Sequence, residues 1–292
     1  MNGLLVVDKP GGMTSHDVVS RLRKITGENS IGHLGTLDPM ATGVLPLLLG
    51  KFTRLAQYFS SAEKSYTGTI RFGFATDTYD ADGEPVGTRV EATLSLDEVR
   101  AVAARFRGKI SQVPPPYSAK KIGGTPAYKM ARAGKTVELK PVAIEIKCFE
   151  IVAVNVDEAV FAMTVSAGGY VRCVAHELGM ALGCGAHLSS LRRTRAGAFT
   201  LEDAHDLEAI ESHAGDIVAL EKLCVHPRFL LPEIPAVTGD EFALGRLRNG
   251  AQANLPEFSQ AQMVKIFAGQ RELVGIAKRV AGTLFQPVAW LG

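Results

Sequence analysis

Apolar and polar positions alternate in two different periods along the chain. The run Leu4 to Val7 is apolar and predicts a short buried strand, while residues 66–72 place an apolar side chain at nearly every second position and predict a half-buried strand. Residues 95–108 follow the helical period, and Ser95 with Glu98 forms a capping box at the start. Strands separated by helices without a regular βαβ alternation predict an α+β fold, with a mixed, mainly antiparallel sheet and flanking helices.

Two further segments have a recognisable secondary-structure pattern. A helix is predicted from a Ser15 cap to a Gly27 stop. The stretch "AVFAMTVSAGGYVR" predicts a strand of mixed pattern that is followed by a helix. Tyr170 and Arg172 stand two positions apart in that stretch, so we expect them on one face of a strand.

The pattern changes near residue 231. Pro227, Pro232 and Pro235 interrupt the chain, and the residues after them form short strand-like runs separated by turn residues. We therefore predict two domains, residues 1–231 and residues 232–292, of which the second is small and β-rich. A module of that size is marginally stable alone, so we expect it to pack on the first domain.

Basic residues are concentrated in one segment. The chain has 292 residues, 46% of them hydrophobic, and a net charge of only +2. Between Arg105 and Lys140, however, nine basic residues face a single acid, Glu138, and Tyr117 and Tyr128 lie among them. Basic, aromatic segments rich in Pro and Gly suit an RNA backbone and its unstacked bases, although a solvated lysine-rich loop has the same composition. Arg192, Arg193 and Arg195 form a second cluster.

Several classes of protein are poorly supported. The four cysteines form no CxxC pair and are expected to be reduced thiols, and no apolar run is long enough for a signal peptide or a membrane span. We therefore expect a cytoplasmic protein with no membrane contact. P-loop and dinucleotide-binding motifs are missing, the calcium-loop pattern has Arg89 where Glu is required, and Met180 replaces the second histidine of an HExxH motif.

Asp38 is the most unusual residue in the chain. It stands in "GHLGTLDPMATGVL" with a single histidine and no other charged residue. Asp-Pro commonly starts a turn, which is the simplest interpretation. A functional carboxylate in such apolar surroundings needs a partner elsewhere in the chain, because burial alone would make it neutral.

Taken together, the motifs resemble those of the bacterial tRNA pseudouridine-55 synthases. The matching stretches include "DKPGGMTSHDVV", "GHLGTLDPMATGVLPLLLG", "KSYTGTIRFGFATDTYDADG", "GGYVRCVAHELG" and "CGAHLSSLRRTRAGAF", in the order that the family has them, over most of residues 1–200. The tail resembles the RNA-binding PUA module more weakly, in "ALGRLRNG" and "GIAKRV". One departure is "LKPVAI", where relatives more often have Arg after the Pro.

The resemblance implies an isomerase that converts uridine-55 in the T-loop of tRNA to pseudouridine without a cofactor or a metal. It implies that Asp38 is catalytic and that Tyr66 stacks on the flipped base and handles a proton. Because burial without compensation would make Asp38 neutral, we expect Arg172 to compensate its charge and Asp80 to share Arg172 as a second carboxylate. Attack of Asp38 on the base, attack on the sugar and proton transfer all remain open. The residues implied in substrate binding are His33, Tyr170, Leu191, Lys64, Asp80 and Lys9.

The same resemblance implies a thumb loop, residues 116–141, that grips tRNA directly. We expect it to be mobile and to become ordered on the T-arm through basic side chains, namely Lys120, Lys121, Lys129, Arg132 and Lys135. This loop argues against a relative that depends on a guide RNA, and we expect a monomer. A non-catalytic RNA chaperone is the alternative of another class, and activity of Asp38→Asn would separate the two.

Overall fold

The computed structural model describes residues 1–118, 120–132 and 139–292, with the backbone alone for some residues between 121 and 132. The helices are α1 (Ser15–Thr26), α2 (Ala56–Phe59), α3 (Leu96–Ala103), α4 (Ala127–Arg132), α5 (Val171–Ala181), α6 (Leu207–Glu211), α7 (Ile217–Leu223) and α8 (Glu241–Arg248). Short 3₁₀ segments cover Gly50–Leu55, Ala104–Phe106, Leu201–Asp203 and Pro227–Phe229.

The strands of the first two thirds of the chain are β1 (Gly3–Lys9), β2 (Ile31–His33), β3 (Thr42–Leu49), β4 (Lys64–Phe72), β5 (Ala75–Thr76), β6 (Pro85–Val86), β7 (Gly108–Gln112), β8 (Lys121–Ile122), β9 (Thr125–Pro126), β10 (Val142–Asn155), β11 (Glu158–Val165), β12 (Ala186–Ala196) and β13 (Phe199–Thr200). Those of the remainder are β14 (Ala236–Thr238), β15 (Ala253–Asn254), β16 (Met263–Ala268), β17 (Glu272–Ala281) and β18 (Leu284–Trp290).

A large mixed sheet forms the body of the protein. Among the described residues it contains nine strands, with the path β1-β3-β12-β4-β11-β10-β7 and with β2 and β13 at its sides. Every pairing in it is antiparallel except that of β3 with β12, which is parallel. The predicted α+β class with a mainly antiparallel sheet is confirmed.

Helices α1, α3 and α5 cover one face of this sheet. Their buried side chains include Val18, Leu22, Val99, Val174 and Leu178, and they share one apolar cluster with residues of the central strands. Complete burial of such side chains contributes roughly 1.5–3 kcal/mol each. Most residues that line the site described below lie on strand ends or in the loops between these covered elements.

The caps of two helices follow from local sequence. The capping box of α3, between Ser95 and Glu98, is present as predicted. Helix α1 ends at Gly27, which has φ 68°, but its N-cap is Thr14 rather than the predicted Ser15. Thr14 forms a reciprocal capping box with Asp17, which satisfies two N–H groups, whereas Ser15 turns inward and bonds to Leu37.

The expectation that Tyr170 and Arg172 share a strand face is wrong. Strand β11 ends at Val165, and a turn with a hydrogen bond from Gly169 N to Ser166 O follows it. Tyr170 is the N-cap of α5, and Arg172 lies in the first turn of that helix. The two glycines before Tyr170 interrupt the strand, and the helical period from Val171 onward then decides the local structure.

A second sheet lies in the C-terminal part of the chain. Its strand order is β14-β16-β17-β18-β15, and α8 packs beside it. Leu4, Val6 and Phe52 of the first sheet region share an apolar cluster with Phe267 and Leu291 of the second. The C-terminal sheet therefore packs directly on the larger one. In the part of the chain that the structure describes, no helix is long and apolar enough to cross a membrane.

Candidate active site

Asp38 lies in the loop between β2 and β3, and the side chain of Lys9 holds that loop in place. Asp38 O accepts a hydrogen bond from Ala41 N, which is the turn that Asp-Pro favours. Lys9 is fully buried, and its Nζ donates to Pro10 O, Met13 O and Pro39 O at 2.6–3.2 Å. Three carbonyl oxygens thus match the three ammonium donors. Burial lowers the pKa of Lys9 to about 8, while Asp38 acts to raise it.

Arg172 supplies the distant partner that the Asp38 carboxylate requires. Its Nη2 donates to Asp38 Oδ1 at 3.0 Å, and its Nε lies 2.9 Å from Asp38 Oδ2. The same guanidinium contacts Asp80 Oδ2 at 3.1 Å through Nη1 and donates to Thr78 O and Tyr117 O. One arginine therefore joins two carboxylates and two backbone carbonyls, with one hydrogen bond and one close ion-pair contact to Asp38.

The three charged groups differ in exposure. The side chain of Asp38 is 31% exposed, whereas those of Arg172 and Asp80 are 6% and 5% exposed. Of the two carboxylates, Asp38 is thus the one that a molecule entering the site could reach. Burial raises the pKa of Asp38, Arg172 opposes that rise, and Asp80 adds to it. Arg172 is therefore the main influence that favours the ionised form.

A pocket of about 370 Å³ opens over this carboxylate. The lining includes seven of the residues expected to act in catalysis, binding or RNA contact: Asp38, Lys64, Tyr66, Lys120, Tyr170, Arg172 and Leu191. Tyr66 and Leu191 are 8% and 7% exposed and form apolar walls. Burial raises the pKa of Tyr66, and Arg193 opposes that rise. The pocket therefore combines one carboxylate, apolar walls and several basic groups.

Hydrogen bonds to backbone atoms fix the positions of two lining residues, Tyr170 and Lys64. Tyr170 N donates to Gln112 Oε1 at 2.8 Å, and Gln112 Nε2 donates back to Tyr170 O at 3.1 Å. Lys64 Nζ donates to Ala62 O at 2.8 Å. Burial raises the pKa of the Tyr170 hydroxyl. Tyr170 is therefore a fixed wall of the pocket, despite its place at a helix start.

His33 lies on the other side of Asp38, in a neighbouring cleft. That cleft of about 680 Å³ is also lined by Asp80 and Arg172. His33 Nδ1 is buried without a hydrogen-bond partner among the described residues, and burial lowers the pKa of the ring. Asp38 thus borders both spaces. Of the residues expected to bind substrate, His33 and Asp80 border the second one.

The basic segment is described only in part. Lys120 lines the pocket and is half-buried, and Lys129 is exposed on α4. For Lys121 and Arg132 the backbone alone is described, in β8 and α4. Lys135 lies outside the described residues, and so do several other positions at which the mobile thumb loop is predicted.

Arg193 is the lining residue whose role the sequence interpretation missed. It is 1% exposed and donates to Val44 O at 2.7 Å, Gly35 O at 3.0 Å and Thr36 O at 3.4 Å. It pairs across the strands with Tyr66. Within the described residues no salt bridge reaches it, and burial lowers its pKa. Its position two residues after buried Leu191 was the available signal, because alternate strand residues share a face.

Gly43 explains how Arg193 comes so close to the loop that carries Asp38. Strands β3 and β12 pair in parallel there, with Gly43 opposite Arg193. A Cβ on Gly43 would lie 2.2 Å from Arg193 O, and its φ is +100°. A side chain at this position would therefore force apart the two strands that carry the loop and Arg193.

Family models and sequence relatives both match this chain. Residues 23–171 match the model of the TruB family pseudouridylate synthase (N terminal domain), and residues 172–225 match that of the tRNA pseudouridylate synthase B C-terminal domain. The chain is 42% identical to the tRNA pseudouridine synthase B of Solibacter usitatus, over 98% of this chain and 99% of the relative. It is 40% identical to that of Aquifex aeolicus, over 97% and 98%.

A solved structure has the same fold. A chain in the crystal structure of a Cbf5–Nop10–Gar1 complex is 27% identical and superposes with a TM-score of 0.70, over 96% of this chain and 79% of that one. The sequence relatives and the solved structure each extend over nearly the whole of this chain, including the C-terminal sheet.

Proposed function

The chain belongs to the TruB family of pseudouridylate synthases, and from this membership we propose that it converts uridine-55 in the T-loop of tRNA to pseudouridine. The observation that carries the proposal is the Asp38 carboxylate at the floor of a pocket walled by Tyr66 and Leu191. In the net reaction the C1′–N1 bond breaks and a C1′–C5 bond forms. C5 loses a proton and N1 gains one, so atoms and electrons balance without an external oxidant or reductant.

The residues of the pocket suit this chemistry. We infer that Asp38 attacks the nucleotide covalently or accepts its proton, and that Arg172 keeps the carboxylate ionised and oriented. The base must leave the T-loop, at a cost of a few kcal/mol, and stacking on Tyr66 returns roughly 1–3 kcal/mol. Leu191 encloses the base from the other side, and Lys9 holds the loop beneath Asp38.

Release of tritium from tRNA labelled at C5 of uridine tests the proposal. The purified protein alone should release one tritium per tRNA, and a transcript with cytidine at position 55 should release none. Activity with no RNA present other than the substrate tRNA would also exclude dependence on a guide RNA. If wild type and Asp38→Asn bind tRNA but release no tritium, the protein is an RNA chaperone and not an isomerase.

The proposal also covers the oligomeric state, the location and the domains of the protein. We propose that a monomer acts in the cytoplasm, that residues 1–231 form the catalytic domain, and that residues 232–292 form a PUA-like RNA-binding domain. Support for a fixed arrangement of the two comes from Lys51 Nζ, which donates to Gly292 O, and from Arg54 Nη1, which donates to Trp290 O. Both contacts join the first sheet region to the C-terminal end of the chain.

Tyr66→Phe is expected to lower the single-turnover rate by about 100-fold, because general acid–base groups contribute roughly 10²–10⁴-fold. The hydroxyl lies beside Arg193, which opposes the rise in its pKa. Tyr58→Phe, in the apolar cluster away from the pocket, serves as a control. A Tyr66→Phe rate equal to wild type would reduce the role of Tyr66 to stacking.

Neutralising Lys120, Lys121, Lys129 and Arg132 together is expected to weaken tRNA binding and to flatten its salt dependence. The slope should fall by about 0.7 for each phosphate that the basic segment no longer neutralises, while the rate on bound tRNA changes less. Dissociation constants from low to moderate salt provide the measurement.

A control variant removes four positive charges elsewhere, at Lys24, Arg71, Arg100 and Lys222, which are exposed or half-exposed. It should keep the wild-type slope. An unchanged slope in the loop variant would mean that the basic segment is an ordinary solvated surface.

A further inference from the structure

Two side chains of helix α5 contact the segment Thr78 to Asp80. Arg172 and His176 stand four residues apart and therefore share a face of the helix. Arg172 Nη1 donates to Thr78 O at 3.0 Å and contacts Asp80 Oδ2 at 3.1 Å. His176 stacks on Tyr79, the residue between them, with ring centroids 3.9 Å apart and planes 15° apart. Three consecutive residues are thus held by one turn of helix.

Tyr79 has a backbone conformation that its side chain disfavours. Its φ is +66°, in the left-handed region that glycine adopts without steric strain and an aromatic residue does not. Hydrogen bonds from Leu188 N to Tyr79 O and from Tyr79 N to Thr76 O hold the turn. Strained residues of this kind persist where the surroundings hold them, and they cluster at functional sites.

We propose that His176 is a positioning residue for isomerisation: by stacking on Tyr79 it keeps the left-handed turn closed, and so keeps Thr78 O and the Asp80 carboxylate on Arg172. Arg172 in turn orients Asp38. The inference rests on the proposed function, and it assigns a role to the "AHELG" segment, whose metal-site interpretation fails at Met180.

The histidine acts here through its ring face and not through its nitrogens. His176 Nδ1 is buried and has no hydrogen-bond partner among the described residues. Burial also lowers the pKa of the ring, which favours the neutral form. A phenylalanine has a similar flat face, so it should replace this histidine, whereas an alanine should not.

The first test compares His176→Ala and His176→Phe by tritium release in single turnover at saturating tRNA. His176→Ala should slow the reaction about 3- to 30-fold, the range for residues that act through another group. Its dissociation constant for tRNA should not change, and His176→Phe should restore the rate. Met180→Ala, which alters an exposed side chain of the same helix, should match wild type.

Substitution of Tyr79 separates positioning from simple packing. Tyr79→Phe should keep the wild-type rate because the stack is kept. Tyr79→Gly should react faster than Tyr79→Ala, because glycine adopts φ +66° without strain whereas alanine has the strain and no stack. In the Tyr79→Gly background, His176→Ala should have no further effect.

Two results would overturn the inference while leaving the isomerase assignment intact: a wild-type rate for His176→Ala, or Tyr79→Ala at least as fast as Tyr79→Gly. If His176→Ala does not fold, the Tyr79 series decides. Absence of tritium release from the wild-type protein would instead overturn the proposed function itself, so the two failures are distinguishable.

Discussion

Replacement of Asp38 by asparagine is expected to abolish pseudouridine formation while leaving tRNA binding almost unchanged. Asp38 is the one carboxylate of the Arg172 cluster whose side chain reaches the pocket, with 31% exposure against 5% for Asp80. An amide can neither attack nor accept a proton at this position. Loss of a group that acts as part of a catalytic unit costs about a thousandfold or more.

Binding should survive because phosphate contacts, and not the reacting carboxylate, carry most of the affinity for a nucleic acid. The fold should survive as well, since Arg172 retains Asp80, Thr78 O and Tyr117 O. Tritium release and a binding titration on the same preparation provide the measurement. Asp82→Asn, which alters an exposed carboxylate of the neighbouring cleft, is the matched control and should remain active. Measurable turnover by Asp38→Ala would refute the assignment.

Arg172→Ala is expected to lose both activity and stability. Its removal leaves the Asp80 side chain, which is 5% exposed, without an ion-pair partner among the described residues, although the Thr78 hydroxyl and Asp82 N still donate to that carboxylate. Breaking a buried pair by removing one partner costs about 3–5 kcal/mol. Asp38 loses the main influence that opposes its raised pKa, so its ionised form becomes less populated.

Arg172→Lys should recover little of this activity. A single ammonium group cannot contact Asp38 and Asp80 and also donate to two carbonyls in one plane. Urea unfolding measures the loss of stability, and single-turnover tritium release measures the loss of activity. Arg71→Ala provides the contrast: its pair with Asp157 is partly exposed, so its removal should cost about 0–1 kcal/mol. If Arg172→Lys equals wild type, the arginine supplies charge alone and does not orient the carboxylate.

Parts of this site were predictable because their causes are local. The turn at Asp38 follows from Asp-Pro, and the strand that carries Tyr66 follows from an alternation over a few residues. The expectation that Asp80 shares Arg172 as a second carboxylate agrees with the 3.1 Å contact between Arg172 Nη1 and Asp80 Oδ2. The catalytic and binding roles of these residues remain predictions until the variants are measured.

Other parts depended on residues far apart in the chain. Arg172 and Asp38 are separated by 134 positions, and Arg193 and Val44 by 149. Local pattern placed Arg172 on a strand and treated Arg193 as one of a surface cluster, because a positive charge usually lies in water. Only the pairing of β12 with β3 and β4 shows that Arg193 is buried against Gly43 and Tyr66.

The sequence by itself determined the capping box of α3, the glycine stop of α1, the alternation of the Tyr66 strand, the family and the identity of the lone carboxylate, since each depends on near neighbours or on motif order. The tertiary structure alone decided which charges meet, how exposed each is, and that a strained Tyr79 lies between the two residues that Arg172 holds. These features arise from the packing of distant segments. Burial sets their energies, and burial is a property of the whole fold and not of a stretch of sequence.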